Sequence, residues 1–164
     1  MIDIPIIIIS FNNYKYVQNT ISQLEKINPS ILKDIIIMDN NSSDPNTINY
    51  LNATKYKVVR NTENKGPWIE NYKDFYDSLP NKFIITDPDL EFNNNLPKNF
   101  IQILLKLSDK FKCQKIGFAL DIKDFNQMYN TTYYNNQTIY DWEKQFWSNK
   151  NDDLNYELYN AEID

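Results

Sequence analysis

The chain has 164 residues and a formal net charge of −5, which is long enough for one domain with a substantial core. Hydrophobic residues make up 41% of it, which excludes the composition of disordered chains. The acidic balance argues against a nucleic-acid surface, which needs clustered Lys and Arg. Histidine is absent from the sequence, so carboxylates must carry any acid–base or metal chemistry.

The first residues and the single cysteine bear on the compartment. Cys113 is the only cysteine, so no disulfide can form within the chain, which favours a reducing compartment. The opening MIDIPIIIIS lacks a basic segment and has only a short apolar run, so it fits neither a signal peptide nor a membrane span. We therefore expect a cytoplasmic protein and interpret this opening as the first strand.

Residues 4–87 alternate strand and helix patterns. Buried-type apolar runs predict strands at IPIIIIS, at residues 34–39, at residues 55–60 and at KFIITD. Apolar residues at helical spacing predict helices after Tyr14, from Pro45 to Leu51 with Asp44 as cap, and from Trp68 to Leu79. This order predicts an α/β fold with a mostly parallel central sheet flanked by helices.

The second half of the chain gives a weaker pattern. A helix is predicted after residue 96, with Phe100, Leu104, Leu107 and Phe111 on its apolar face. KIGFAL, residues 115–120, predicts a further strand, and aromatic, Asn and acidic residues follow to the end. Because no linker or repeat is visible, we expect a single domain over residues 1–164.

Ligands of parallel α/β sheets bind beyond the carboxyl ends of the strands, and these ends are polar here. They read SFNN, DNNSSD, NTENKG and DPDLE in chain order. In the last of them, Asp87 and Asp89 stand two positions apart after a strand. Crowded carboxylates repel unless a cation lies between them, and such oxygen ligands suit Mg²⁺ or Mn²⁺ shared with substrate phosphates. A solvated acidic loop is the simpler alternative.

Other motif interpretations fit less well. DNNSSD lacks the glycine and the final glutamate of a calcium-binding EF-hand loop. A phosphatase with Asp87 as nucleophile would carry Thr or Val at Glu91 and would place its motif on the first strand. Gly66 and Gly117 are the only glycines, so no glycine-rich phosphate loop can be built.

Taken together, IIIISFNNY, IIIMDNNSSD, RNTENKG and the DxD of FIITDPDLEF resemble family 2 glycosyltransferases, which transfer sugars from nucleotide sugars and have the GT-A fold. The resemblance covers residues 4 to about 92. The later segments KIGFALDI, DWEKQFW and YNAEID look like a subgroup with viral and bacterial members. The family 2 resemblance implies a nucleotide-binding half at 1–92 and an acceptor-side half at 93–164. We expect part of the acceptor-side half to be absent, because similar sequences continue.

The resemblance implies roles for individual residues. Ser10, Phe11 and Asn12 would lie along the nucleotide, and Asp39 would accept an N–H of the base. Asn64 and Gly66 would shape the nucleotide pocket. Asp87 would lie near the ribose or the metal, and Asp89 would bind the Mn²⁺ or Mg²⁺ that bridges the diphosphate.

The resemblance implies transfer of a sugar, with a UDP-sugar as the expected donor, to a hydroxyl of a glycan or glycoprotein acceptor, with inversion. The catalytic base is not plain from the motifs. Glu143 is our first candidate and Asp121 the second, with Asp124 and Asp164 also open. Two rival functions remain at this point: a nucleotidyltransferase on a related fold, and a domain that binds a nucleotide sugar or a partner without turnover.

Overall fold

The structure is a computed structural model that describes residues 4–129, 131–132, 136–153 and 155–161. Its contacts divide the chain into two compact units, Met1–Phe100 and Ile101–Asp164. Each unit is described here by itself. Asp164, one of the candidate bases, lies outside the described residues.

A four-stranded parallel sheet forms the centre of the first unit. Its strands are β1 (Ile6–Ser10), β2 (Ile35–Asp39), β3 (Lys57–Arg60) and β4 (Ile84–Thr86), in the order β3-β2-β1-β4. Every residue of β1 and β2 is buried, as their isoleucine runs predict for strands covered on both faces. The predicted α/β fold with a parallel central sheet is therefore confirmed.

Helices cover this sheet, as the apolar spacing predicted. α1 (Tyr14–Ile27) buries Val17, Thr20, Ile21 and Leu24 along one face. α2 (Pro45–Ala53) begins after Asp44, whose carboxylate accepts the Thr47 backbone N–H at 2.8 Å. The predicted N-cap is confirmed, and the hydrogen bonds from the hydroxyl and the backbone N–H of Thr47 lower the pKa of Asp44.

The prediction of one continuous helix from Trp68 to Leu79 was wrong. The chain forms a 3₁₀ turn at Ile69–Asn71 and then the short helix α3 (Lys73–Asp77). Tyr72, which lies between them, has a non-helical backbone (φ −103°, ψ 63°). Its buried side chain bonds the preceding loop, where its hydroxyl accepts the Lys65 N–H at 2.6 Å. We attribute the break to this tertiary contact.

The second unit is mostly helical and irregular. It contains nearly all of α4 (Phe100–Phe111), which confirms the predicted helix, and also α5 (Ile139–Lys144). β5 (Lys150–Asn151) and β6 (Leu158–Tyr159) pair in antiparallel fashion. The strand predicted at residues 115–120 was wrong, because this segment is largely exposed and forms no ladder with any described strand. Among the described helices, none has the length and apolar character needed to cross a membrane.

Candidate active site

The carboxyl edge of the parallel sheet gathers the polar loops of the first unit. In the sheet register Ser10 lies opposite Asp39, and Asp39 lies opposite Arg60. Thr86, the last residue of β4, lies opposite Ile8, so the DPD segment follows at the same edge. The four loops that carry the predicted donor-site residues therefore begin side by side.

The first loop, residues 10–13, turns sharply at Asn12. Asn12 adopts a left-handed backbone conformation (φ 55°), and its side-chain oxygen accepts the backbone N–H groups of Ser43 and Asp44, each at 2.8 Å. The Ser10 hydroxyl is buried and donates to Asn13 Oδ1 at 3.0 Å. Phe11 stays 45% exposed. Asn12 therefore ties the first loop to the second and leaves the Phe11 ring open to a ligand.

The second loop is organised around the buried carboxylate of Asp39. Its Oδ1 accepts the backbone N–H of Ser42 at 3.2 Å and the Ser42 hydroxyl at 2.5 Å. Its Oδ2 lies 3.6 Å from a guanidinium nitrogen of Arg60, whose side chain is 41% exposed. A second nitrogen of Arg60 donates to Asn52 Oδ1 at 2.8 Å. The only arginine of the chain therefore offsets the charge of the predicted base-reading carboxylate.

The third loop is fixed by the side-chain amides of asparagines. Gly66 has φ 86°, and its N–H donates to Asn64 Oδ1 at 2.8 Å. The Asn40 side-chain amide donates to the Gly66 carbonyl at 2.8 Å and accepts from Asn61 at 3.0 Å. Because Asn40 is only 2% exposed, its bonds hold the third loop against the second.

The fourth loop carries the carboxylates of Asp87 and Asp89, and both residues are exposed. Surrounding atoms displace water from the carboxyl of Asp87, which raises its pKa, and the neighbouring charge of Asp89 raises it further. No hydrogen bond or ion pair to either side-chain carboxylate occurs within the part of the chain that the structure describes. Two open carboxylates therefore repel each other without a protein cation between them.

These carboxylates fit a divalent metal that is shared with substrate. Mg²⁺ and Mn²⁺ prefer oxygen ligands, and Mg²⁺ is often held by one or two carboxylates together with phosphate oxygens. The described residues contain no group of three or more acidic or cysteine side chains that could hold a metal alone. Within the described ranges, Asp87 and Asp89 would therefore hold such an ion together with ligands from outside the protein, which a diphosphate supplies.

The candidate bases of the second unit differ in environment. Glu143 lies in α5 and is half-buried, and burial raises the pKa of its carboxyl. Asp121 is exposed, accepts the Lys123 backbone N–H at 2.9 Å and lies 3.9 Å from its ammonium. Asp124 is also exposed. Burial therefore makes the Glu143 carboxylate more basic than an exposed glutamate, which is a property that a general base needs.

Aromatic residues around Glu143 pack in separate pairs. The ring of Trp142 meets that of Phe146 edge-on, with centroids 6.1 Å apart. Tyr140 pairs with Phe125 at 5.3 Å. These ring contacts stabilise the second unit.

Two surface depressions lie in the first unit. One of about 300 Å³ opens beside the first loop and is lined by Asn12, Asn13 and Tyr16, among others. The other, of about 180 Å³, is lined by Pro5, Ile35 and further residues at the opposite, amino edge of the sheet. Since no candidate residue lines the second depression, the carboxyl edge is the better site for a ligand.

Sequence reasoning missed three residues of this edge: Arg60, Asn40 and Tyr72. Arg60 could have been found, because it is the only arginine and stands at the end of the third predicted strand. Asn40 directly follows Asp39 but is one of many asparagines, so its sequence carries no distinctive signal. The role of Tyr72 depends on a loop contact that no periodicity reports.

The model of the family described as glycosyl transferase family 2 matches residues 6–160. The chain belongs to glycosyl transferase family 2. It is therefore a glycosyltransferase with the GT-A fold, and its substrates are a nucleotide sugar and an acceptor. No curated protein matches the chain at a significant level. The four-stranded parallel sheet with its flanking helices agrees with the fold of the family.

The role of Asn12 in this glycosyltransferase gives a first prediction. Alanine at position 12 would lose the side-chain bonds and would also strain the left-handed backbone, which costs an L residue about 1–2 kcal/mol. Glycine loses the same bonds without the strain. We therefore expect Asn12→Gly to be more stable than Asn12→Ala in urea unfolding, despite the extra freedom of glycine in the unfolded chain. Equal stabilities would contradict a backbone role.

Proposed function

We propose that this family 2 enzyme transfers a sugar from a UDP-sugar to a hydroxyl of a glycan or glycoprotein, with Mn²⁺ or Mg²⁺ and with inversion. The observation that carries the proposal is the open carboxylate pair, Asp87 and Asp89, at the sheet edge that also holds Asp39. A nucleoside diphosphate brings both a base for Asp39 and phosphate oxygens for a metal. We further propose that residues 1–92 bind the donor and residues 93–164 serve the acceptor, within one domain.

In this proposal the first three loops bind the nucleoside. Ser10, Phe11 and Asn12 would line its length, with the exposed ring of Phe11 available for apolar contact. Asn64 and Gly66 would shape the pocket through the turn that they form together. These loops are fixed to one another by hydrogen bonds, so little ordering would be needed when the donor binds.

Asp39 would read the base. A carboxylate has about four acceptor positions, and the two hydrogen bonds from Ser42 and the ion pair with Arg60 leave capacity for a further donor. The imide N–H of uracil is such a donor. Because the carboxylate is only 4% exposed, this hydrogen bond would form in a site largely screened from water.

Asp87 and Asp89 would hold the metal. When bound, the ion would supply positive charge to the diphosphate as it leaves the sugar. Asp89 would be the principal ligand, and Asp87 would lie beside it or near the ribose. Arg60 and Lys65 of this edge are each paired with a carboxylate, Asp39 at 3.6 Å and Glu63 at 3.0 Å, so a metal ion would add positive charge where these side chains already share theirs.

Glu143 would deprotonate the acceptor hydroxyl. A carboxyl whose pKa is raised by burial holds a proton more firmly, so its carboxylate is a stronger base than an exposed glutamate. Attack by the acceptor oxygen on the sugar carbon, opposite the departing diphosphate, inverts that carbon without a covalent enzyme intermediate. Asp121 is the second candidate for this role.

The metal proposal predicts that UDP stabilises the protein only together with Mn²⁺ or Mg²⁺. A ligand present at a hundred times its Kd stabilises the folded state by about 2.7 kcal/mol, which a thermal-shift assay detects as a higher Tm. Asp89→Asn should abolish the dependence on metal. Asp34→Asn, which removes the same charge just before the amino end of β2, should retain it. A parent and an Asp89→Asn variant with identical metal-dependent shifts would place the metal elsewhere.

The base-reading proposal predicts that Asp39→Asn weakens UDP binding. The amide keeps the size of the side chain but replaces one acceptor oxygen with a donor, which should cost about 1–3 kcal/mol of binding free energy. Titration calorimetry measures this loss. Asp44→Asn is the matched control, since it removes a charge from the same loop and asparagine caps helices equally well. Unchanged UDP affinity in Asp39→Asn would limit Asp39 to organising Ser42 and Arg60.

The base proposal predicts that Glu143→Gln leaves UDP-sugar binding intact while turnover falls by roughly 10²-fold or more. Because burial raises the pKa of Glu143, the activity of the parent should be lost on acidification at a higher pH than an exposed glutamate would give. Release of UDP from UDP-glucose, measured across pH, tests both points. If Asp121→Asn or Asp124→Asn collapses turnover while Glu143→Gln does not, the base is that aspartate.

A further inference from the structure

The segment that follows β4 carries the proposed metal ligands but has no regular secondary structure of its own. Residues 87–92 contain only a turn at Pro88 and Asp89. The positions of the two carboxylates therefore depend on whatever holds this segment in place. An unheld loop would have to lose conformational freedom when a metal binds, at about 1–2 kcal/mol for each backbone residue fixed.

Two side chains of α1 hold this segment. The hydroxyl of Thr20, which is fully buried, donates to the Pro88 carbonyl at 2.6 Å. The amide of Gln23 donates to the Leu90 carbonyl at 2.9 Å and accepts the Phe92 N–H at 2.7 Å. Residues three apart lie on one face of a helix, so both side chains reach the same strip of backbone.

The contacts alternate with the acidic residues. Backbone groups at residues 88, 90 and 92 are bonded to α1, and these three residues are buried or half-buried. Asp87, Asp89 and Glu91, which lie between them in sequence, are exposed. Exposure therefore alternates along the segment, although residues 88 and 89 form a turn. Helix α1 thus covers one side of the segment and leaves the carboxylates on the other.

We propose that Thr20 and Gln23 are positioning residues that fix Asp87 and Asp89 for the metal-bound diphosphate. This inference rests on the proposed metal site. Metal ligands act best when neighbouring groups fix their orientation, and loss of such a neighbour typically lowers metal affinity 10- to 100-fold. Mg²⁺ is especially demanding, because it requires near-ideal octahedral geometry. The two α1 side chains supply this support from outside the ligand set.

The test is a ratio of two dissociation constants for UDP: the Kd measured in EDTA divided by the Kd measured in saturating Mn²⁺. This ratio reports the coupling between metal and nucleotide. Thr20→Val keeps the shape of the side chain and removes its hydroxyl. We expect the ratio to fall by at least tenfold in Thr20→Val, with the Kd in EDTA equal to that of the parent. Thr20→Ser, which keeps the hydroxyl, should have the same ratio as the parent.

Two further variants separate positioning from stability. Gln23→Met removes both hydrogen bonds at a half-buried position, and it should lower the ratio even if Thr20→Val fails to fold. Thr47→Val is the matched control, because Thr47 is also a fully buried threonine whose hydroxyl donates, to Asp44 at 2.7 Å. It should lower the Tm without changing the ratio.

The outcomes are distinct for the inference and for the metal site beneath it. A parent whose UDP affinity does not respond to Mn²⁺ overturns both. A responsive parent with an unchanged ratio in Thr20→Val and Gln23→Met overturns the inference alone. The same holds if Kd in EDTA and Kd in Mn²⁺ rise equally in these variants, since that result indicates general damage to the nucleotide site.

Discussion

The pairing of β1 with β2 on one side and β4 on the other is the interaction on which the rest of the structure depends. Ile6, Ile7 and Ile8 are at most 2% exposed, and burying a side chain of this size contributes about 1.5–3 kcal/mol. Because all four strands run in parallel, this apolar register also decides which polar residues meet at the carboxyl edge. The core that stabilises the first unit therefore also aligns the loops of the candidate site.

Much of the first unit could be predicted, because its signals are local. Continuous isoleucine runs predict strands covered on both faces, and the Asp44–Pro45 sequence predicts the start of α2 from capping alone. Prediction failed where an element depends on distant partners. Residues 115–120 have a strand-like composition, but a strand needs a neighbour to accept its hydrogen bonds. Tyr72 interrupts a plausible helix because its side chain is bound to the loop at Lys65.

The candidate site was likewise predictable where it depends on local sequence and not where it depends on distant partners. Strand ends can be read from sequence, and parallel order brings them to one edge, so the placement of Asp39 and the DPD segment at that edge was predictable. The groups that orient these carboxylates were not. Thr20 bonds Pro88 across 68 positions of sequence, and no spacing rule reports such a contact. In the second unit, α5 is only six residues long, too short for periodicity to define the surroundings of Glu143.

The loops of this enzyme make their sharp turns with asparagine more than with glycine. Asn12 and Asn41 both adopt left-handed backbone conformations, at φ 55° and φ 62°. An asparagine in this position has fewer accessible conformations in the unfolded chain than a glycine would have. Its side-chain amide can also bond a neighbouring loop, as that of Asn12 bonds the backbone of the second loop at Ser43. A chain with only two glycines can in this way still fix its loops to one another, so a scarcity of glycine is a poor guide to the absence of tight turns.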